Sequence, residues 1–252
     1  MIKKLSRYIL LSLCALSCVG HPADDLDDED ISGPSGPTEE GAPALLLDFT
    51  ATWCVNCPRM ASAIEEASRQ RPGSVFPVSV HFRDALSFAD GEALAADFGV
   101  QAYPSLVTNL SASSLITATS SELILSKIDA TAAQRKGTCS LTLTAESTAA
   151  GQYKLVAEAG VTDAGSYRLG ALLVEDGIVA PQTGGSDDYV HNDVLRKILS
   201  GSIAGEDLGS LSSGASVRKE FSFETNGTGS FRVVAYVTDG ELVQTVAAVT
   251  LP

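Results

Sequence analysis

Two cysteines three residues apart, Cys54 and Cys57, stand where an apolar run gives way to a helical pattern. Ala44-Leu45-Leu46-Leu47-Asp48-Phe49 is apolar enough for a strand buried on both faces. Arg59 to Gln70 lacks internal proline and glycine and carries Met60, Ala63, Ile64 and Ala67 at helical spacing, with Pro72-Gly73 ending it. A thiol at the start of that helix meets unpaired backbone amides and the positive end of the helix dipole, and both favour the thiolate. A thiolate attacks a disulfide, and a second thiol one turn further on resolves the mixed disulfide. The same spacing also suits a static disulfide or half of a zinc site. Zinc requires two more ligands, and neither a second Cys-x-x-Cys nor a suitably spaced histidine pair occurs. His81 and His191 read as hydrogen-bonded residues rather than ligands.

The surrounding elements follow from pattern. Val75 to Phe82 alternates as a strand. Asp90 is placed to cap a helix through Ala93, Leu94 and Phe98, stopped by Gly99. Ser105-Leu106-Val107 and Ser114 to Ala118 are short strands, and Thr119-Ser120-Ser121-Glu122 reads as a capping box opening a last helix to about Arg135. In this strand, helix, strand, helix, strand, strand, helix order, Leu45 to Met60 resembles the active-site strand and helix of thioredoxins. Trp53 lies directly before the first cysteine and Asp48 six residues before it. Phe98-Gly99-Val100-Gln101-Ala102-Tyr103-Pro104-Ser105 resembles the segment that ends in that family's cis-proline.

The resemblance covers about residues 43–137 and implies an α/β thioredoxin-like domain with protein-disulfide oxidoreductase activity. It assigns Cys54 as nucleophile, open to visiting protein chains, and Cys57 as resolving thiol. Asp48 becomes a buried acid exchanging a proton with Cys57. Trp53, Tyr103 and a cis Pro104 become the platform on which a substrate chain pairs as an added strand. No organic cofactor or metal is implied, only the redox-active pair. The intervening Val55-Asn56 is neither the Gly-Pro of reducing relatives nor the Pro-His of strong oxidants, and Pro58 replaces a usual lysine. The potential is therefore bounded only by the family span of about −270 to −120 mV.

After Lys136-Gly137 the helical signals fade. Ser140 to Ala145, Tyr153 to Ala159, Tyr167 to Val174, Val217 to Phe223, Phe231 to Val237 and Leu242 to Leu251 alternate. Asp176-Gly177, Asn226-Gly227 and Asp239-Gly240 punctuate them. Residues 138–252 are therefore expected to form an all-β, immunoglobulin-like antiparallel sandwich, with Cys139 as a buried inert thiol at the junction. One stretch, Asp188 to Leu199, breaks the rhythm and reads as a crossover with a short helical part. Its Tyr-x-His-Asn-x-Val-Leu-Arg string resembles the outer membrane protein 28 family of Bacteroidetes. In that family a lipoprotein signal, a thioredoxin-like domain and an immunoglobulin-like domain occur together. His191 and Arg196 are expected to clamp the crossover onto the sandwich.

The 252 residues carry a net charge of −14, which disfavours nucleic acid as a partner because phosphate contacts need cations. Lys3, Lys4 and Arg7 precede the short apolar stretch Tyr8 to Leu16, so residues 1–17 read as a signal peptide. Ala15-Leu16-Ser17-Cys18 resembles a bacterial lipobox, which implies lipidation at Cys18 and membrane attachment. Residues 18–42, with Asp24-Asp25-Leu26-Asp27-Asp28-Glu29-Asp30 and Gly33-Pro34-Ser35-Gly36-Pro37, read as an acidic tether and resemble the export address of surface lipoproteins. The expected location is the cell envelope, at the outer membrane. The expected partners are exported thiol or disulfide proteins and a membrane redox protein. A surface binding lipoprotein with a structural disulfide is the main alternative. A copper or haem carrier is disfavoured by two methionines and unclustered histidines.

Overall fold

Strand β1 (Ala44–Thr50) is buried at all seven positions because both of its faces are covered. The computed structural model describes residues 41–252 apart from residue 228; the signal segment 1–17, Cys18 and the tether through residue 40 lie outside the described residues. After β1 come α1 (Cys57–Gln70), β2 (Val75–His81), α2 (Gly91–Asp97), β3 (Ser105–Thr108), β4 (Ser111–Ile116) and α3 (Ser121–Ala132). This is the element order of the thioredoxin-like reading.

The second half contributes strands throughout. They are β5 (Cys139–Ala149), β6 (Gln152–Val161), β7 (Gly165–Asp176), β8 (Ile178–Val179), β9 (Val190–His191) and β10 (Val194–Ile198). Four more follow: β11 (Glu206–Leu211), β12 (Ser216–Glu224), β13 (Ser230–Thr238) and β14 (Val243–Thr250).

Three departures from the sequence expectation have local causes. Helix α1 begins at Cys57, because Pro58 falls in the first turn, where a missing N–H loses no helical bond. The Asp90 side chain makes no capping bond to α2. Helix α3 is capped one residue later than expected: Ser120 Oγ accepts from Leu123 N at 3.2 Å and donates to Glu122 at 2.7 Å.

The larger departure is at Asp188 to Leu199, which has no helical part among the described residues. Val190 and His191 pair with β8. Val194 and Leu195 are buried and pair with β7, and Val194 also joins β2 in parallel. Asp193 takes a positive φ of 61°, which breaks a right-handed helix at that point. Tertiary pairing outweighed local propensity here.

The parallel junction joins the two halves in one sheet, in the order β14-β13-β7-β10-β2-β1-β3-β4, with β11 also on β7. A second sheet, β12-β6-β5, packs over β7 and β13 to make the antiparallel β-sandwich. The period-two pattern divides side chains between cores. Leu155, Ala157, Tyr167, Leu169, Val233 and Val237 fill the sandwich. Leu172, Val174, Val234 and Tyr236, from the opposite face of β7 and β13, pack against Leu45, Leu47 and Phe49 of β1. Leu46 points the other way, onto Met60, Ile64, Ile124 and Ile128 of α1 and α3. The sandwich, together with Leu94 and Ala95 of α2, therefore covers one face of the thioredoxin-like sheet, and α1 and α3 cover the other. Cys139 is buried and free, and its thiol is pushed up to about 11, chiefly by burial. Among the described residues no helix is long and apolar enough to cross a membrane.

Candidate active site

Cys54 lies in the turn just ahead of α1, and Cys57 is the first helical residue. The turn is closed by Cys54 N donating to Ala51 O at 3.1 Å and Cys57 N donating to Cys54 O at 3.3 Å. The two sulfurs are joined as a disulfide, with Cα atoms 5.4 Å apart. Both residues are buried, Cys54 at 5% exposure and Cys57 at 2%, so the leading cysteine is less open than the sequence suggested. Tyr103 packs on the pair, and a segment from the second half, the arm between β8 and β9, bonds the backbone of the turn. Thr183 N donates to Thr52 O at 2.8 Å. The Gln182 side-chain amide donates to Cys54 O at 2.9 Å and Ala51 O at 3.2 Å. Gly184, at φ +80°, lies against Val55, and a Cβ there would stand 2.2 Å from the Val55 carbonyl oxygen.

On the solvent side Trp53, Tyr103 and Pro104 stand together. The Tyr103–Pro104 peptide is cis. Tyr103 meets Trp53 edge-on at 5.6 Å and stacks on Phe82 at 4.8 Å. Trp53 Nε1 donates to Phe82 O at 3.1 Å while its ring remains 49% exposed, beside an exposed Val55. Tyr103 packs directly on the cluster of Ala51, Cys54 and Cys57.

Asp48 follows from strand parity. It shares the helix-facing side of β1 with Leu46, and its carboxyl is buried at 3% exposure. Oδ1 has no hydrogen-bond partner, and burial pushes the group up to about 7. Asp48 and Cys57 border one cavity of about 380 Å³, lined also by Gln182 and Tyr189 of the arm and by His191 of β9.

The histidines prove to be neighbours. The rings of His81 and His191 lie 5.3 Å apart, and His81 Nδ1 is 2.8 Å from Asp84 Oδ2. Asp84 also accepts from the backbone N–H groups of Thr52 at 2.8 Å and Leu86 at 2.9 Å. Burial alone would raise this carboxyl. The bonds from His81, Thr52 and Leu86 outweigh it and hold the group well below the usual carboxylate range. Arg196 does act as a clamp: its Nε is 3.3 Å from Glu175 Oε2. Asn192 Oδ1 accepts from Gly177 N at 2.9 Å.

Gln182, Gly184 and Tyr189 escaped sequence reasoning. They lie about 130 residues from the cysteines, and Gln182-Thr183-Gly184-Gly185 signals only a turn.

Comparison with known proteins agrees with this architecture. The outer membrane protein Omp28 family matches residues 91–251, well over half of the chain. The chain belongs to the Omp28 family. The thioredoxin family matches residues 39–130, which include both cysteines, Asp48 and Pro104. Among solved structures, HBP35 of Porphyromonas gingivalis superposes with a TM-score of 0.66 at 21% identity, over 84% of this chain and 76% of that one. A structural-genomics protein of Agrobacterium tumefaciens superposes with a TM-score of 0.53 at 11% identity, over 85% and 96%. At these identities the likeness is one of fold. No curated protein sequence matches this one. As an Omp28 member with a thioredoxin-like half, the chain is assigned to the outer membrane and cell envelope.

Proposed function

We propose that this Omp28 protein is a cell-envelope thiol–disulfide oxidoreductase acting on disulfides of exported proteins. The observation that carries the reading is the Cys54–Cys57 disulfide packed against Tyr103, next to a cis Pro104, with buried Asp48 bordering the cavity behind Cys57. In the reducing direction the Cys54 thiolate attacks a substrate disulfide, forming a mixed disulfide and expelling one substrate thiolate. Cys57 gives its proton to Asp48, attacks the Cys54 sulfur and expels the second thiolate. Two electrons pass to the substrate, whose thiolates take protons from solvent. The oxidising direction is the reverse. Trp53 and Tyr103 offer an apolar wall, and the Tyr103 backbone ahead of cis Pro104 offers pairing to a substrate strand. A membrane redox protein resets the pair, no metal or organic cofactor takes part, and lipid at Cys18 tethers the body to the membrane.

A second reading rests on the burial of both cysteines under the arm. In it the disulfide is a staple and the body is a surface binding lipoprotein. Redox titration of the mature protein in glutathione buffers, followed by Trp53 fluorescence, separates the two. A reversible two-electron transition above about −300 mV supports exchange; a pair still oxidised below that value supports the staple.

A further inference from the structure

Two residues that line the cavity behind Cys57 carry a buried side-chain atom with no hydrogen-bond partner, Asp48 at Oδ1 from the first half and His191 at Nε2 from the second. Unsatisfied buried polar atoms are costly, and a pair on one polar space large enough for several waters points to a use. The Ala180 backbone lies against the His191 ring and favours its charged form, and Nε2 has no hydrogen-bond partner. The ring is fixed by Tyr189 at 4.8 Å and His81 at 5.3 Å, both edge-on.

We propose that His191 is a proton relay for the disulfide site, taking from Asp48, through water in this cavity, the proton that Cys57 releases. The inference rests on the exchange reading above. It makes the β-sandwich half part of the redox site, because the relay group lies on its strand β9.

Cys57 S–H passes its proton to the Asp48 carboxylate. Asp48 O–H passes it to water, and water passes it to His191 Nε2, which becomes an imidazolium. The imidazolium then releases the proton to solvent, restoring the neutral ring and the carboxylate. No electrons move in these steps. Burial first, then the neighbouring His81, hold the His191 imidazole below its ordinary range, against the smaller opposing effects of the Ala180 backbone and the Asp84 carboxylate, so the imidazolium is a transient carrier. The other titratable groups lining this space are Glu65 of α1, His81 of β2, Tyr189 of the arm and Asp193 between β9 and β10. Burial first, then the charges of Asp48 and Glu65, push the Tyr189 phenol up, so it remains protonated. Asp193 is engaged by Arg232, and His81 by Asp84 at 2.8 Å. His191 is the imidazole of this space without a carboxylate partner.

The test uses the mature protein and oxidised glutathione as probe. Closure of the Cys54–Cys57 disulfide is followed by Trp53 fluorescence between pH 5 and 9, in wild type and in His191→Gln, which retains a donor for Ala180. The expected result is closure slowed about tenfold at pH 7 in the variant, with the deficit shrinking toward pH 9 and partly restored by added imidazole. A variant closing at the wild-type rate with the wild-type pH profile overturns the relay while leaving the oxidoreductase reading intact. A wild type that does not exchange at all overturns both. As a check that needs no substitution, the 15N shifts of His191 in wild type are followed against pH in the oxidised and reduced states. An inflection that moves between the states supports coupling to the thiol site, and identical curves count against it.

Discussion

The side chain of Gln182 donates to the backbone carbonyl of Cys54 at 2.9 Å, across 128 residues of sequence. The same nitrogen lies 3.2 Å from Ala51 O, so one amide from the sandwich half braces both ends of the turn that carries the leading cysteine. Fixing a reactive turn from a distant rigid element is how a fold limits the conformations a disulfide samples.

Replacing Gln182 with Ala leaves two buried carbonyls without this donor. The expected loss of stability is about 1–3 kcal/mol, measured by urea unfolding at constant pH. The freed turn should also let small thiol reductants reach the Cys54 sulfur faster. An unchanged reduction rate together with unchanged stability would show that the brace is idle.

Gly184 makes a harsher probe. Its φ of +80° is unfavourable for alanine, and the new Cβ would meet Val55 backbone at 2.2 Å. Gly184→Ala should displace the arm and cost more than Gln182→Ala. Raised protease sensitivity between residues 180 and 190 is the expected signature.

Cys54→Ser should abolish reduction of insulin disulfides, and Cys57→Ala should accumulate mixed disulfides that nonreducing electrophoresis and mass spectrometry detect. If insulin reduction survives the loss of either sulfur, the pair is not the site of exchange.

Asp48 predicts a pH dependence with a definite sign. Its folded value, about 7, lies above its ordinary value of 3.8. The folded state holds the proton longer than the unfolded chain, so this group's contribution is fully present below about pH 4 and is lost as pH rises toward 7. The loss is at most about 4 kcal/mol, at 1.36 kcal/mol per pH unit. Asp48→Asn should remove that slope and be the more stable protein at pH 8. Asp84 acts oppositely: its carboxyl is held low in the folded state, so its contribution is present above about pH 4 and fades on acidification. Thermal melts from pH 3 to 8 of wild type, Asp48→Asn and Asp84→Asn resolve the two.

The sequence by itself determined the local elements and the chemistry that neighbours in the chain can share. The apolar run before Cys54, the helical spacing after it, and the Tyr103-Pro104 segment fixed the thioredoxin-like half. Alternation from Ser140 onward fixed the strands of the sandwich, because period-two and helical patterns bury different sets of residues. Only the tertiary structure decided what lies over the cysteines. Val194 joins β2 beside Ser79, and this single parallel contact helps draw Gln182, Tyr189 and His191 over α1. The stretch from Asp188 to Leu199 had a helical reading, but burial of Val194 and Leu195 and pairing with β7 and β8 made it strand. Local propensity is worth tenths of a kcal/mol per residue, whereas each buried aliphatic side chain contributes about 1.5–3 kcal/mol, so burial decided the outcome.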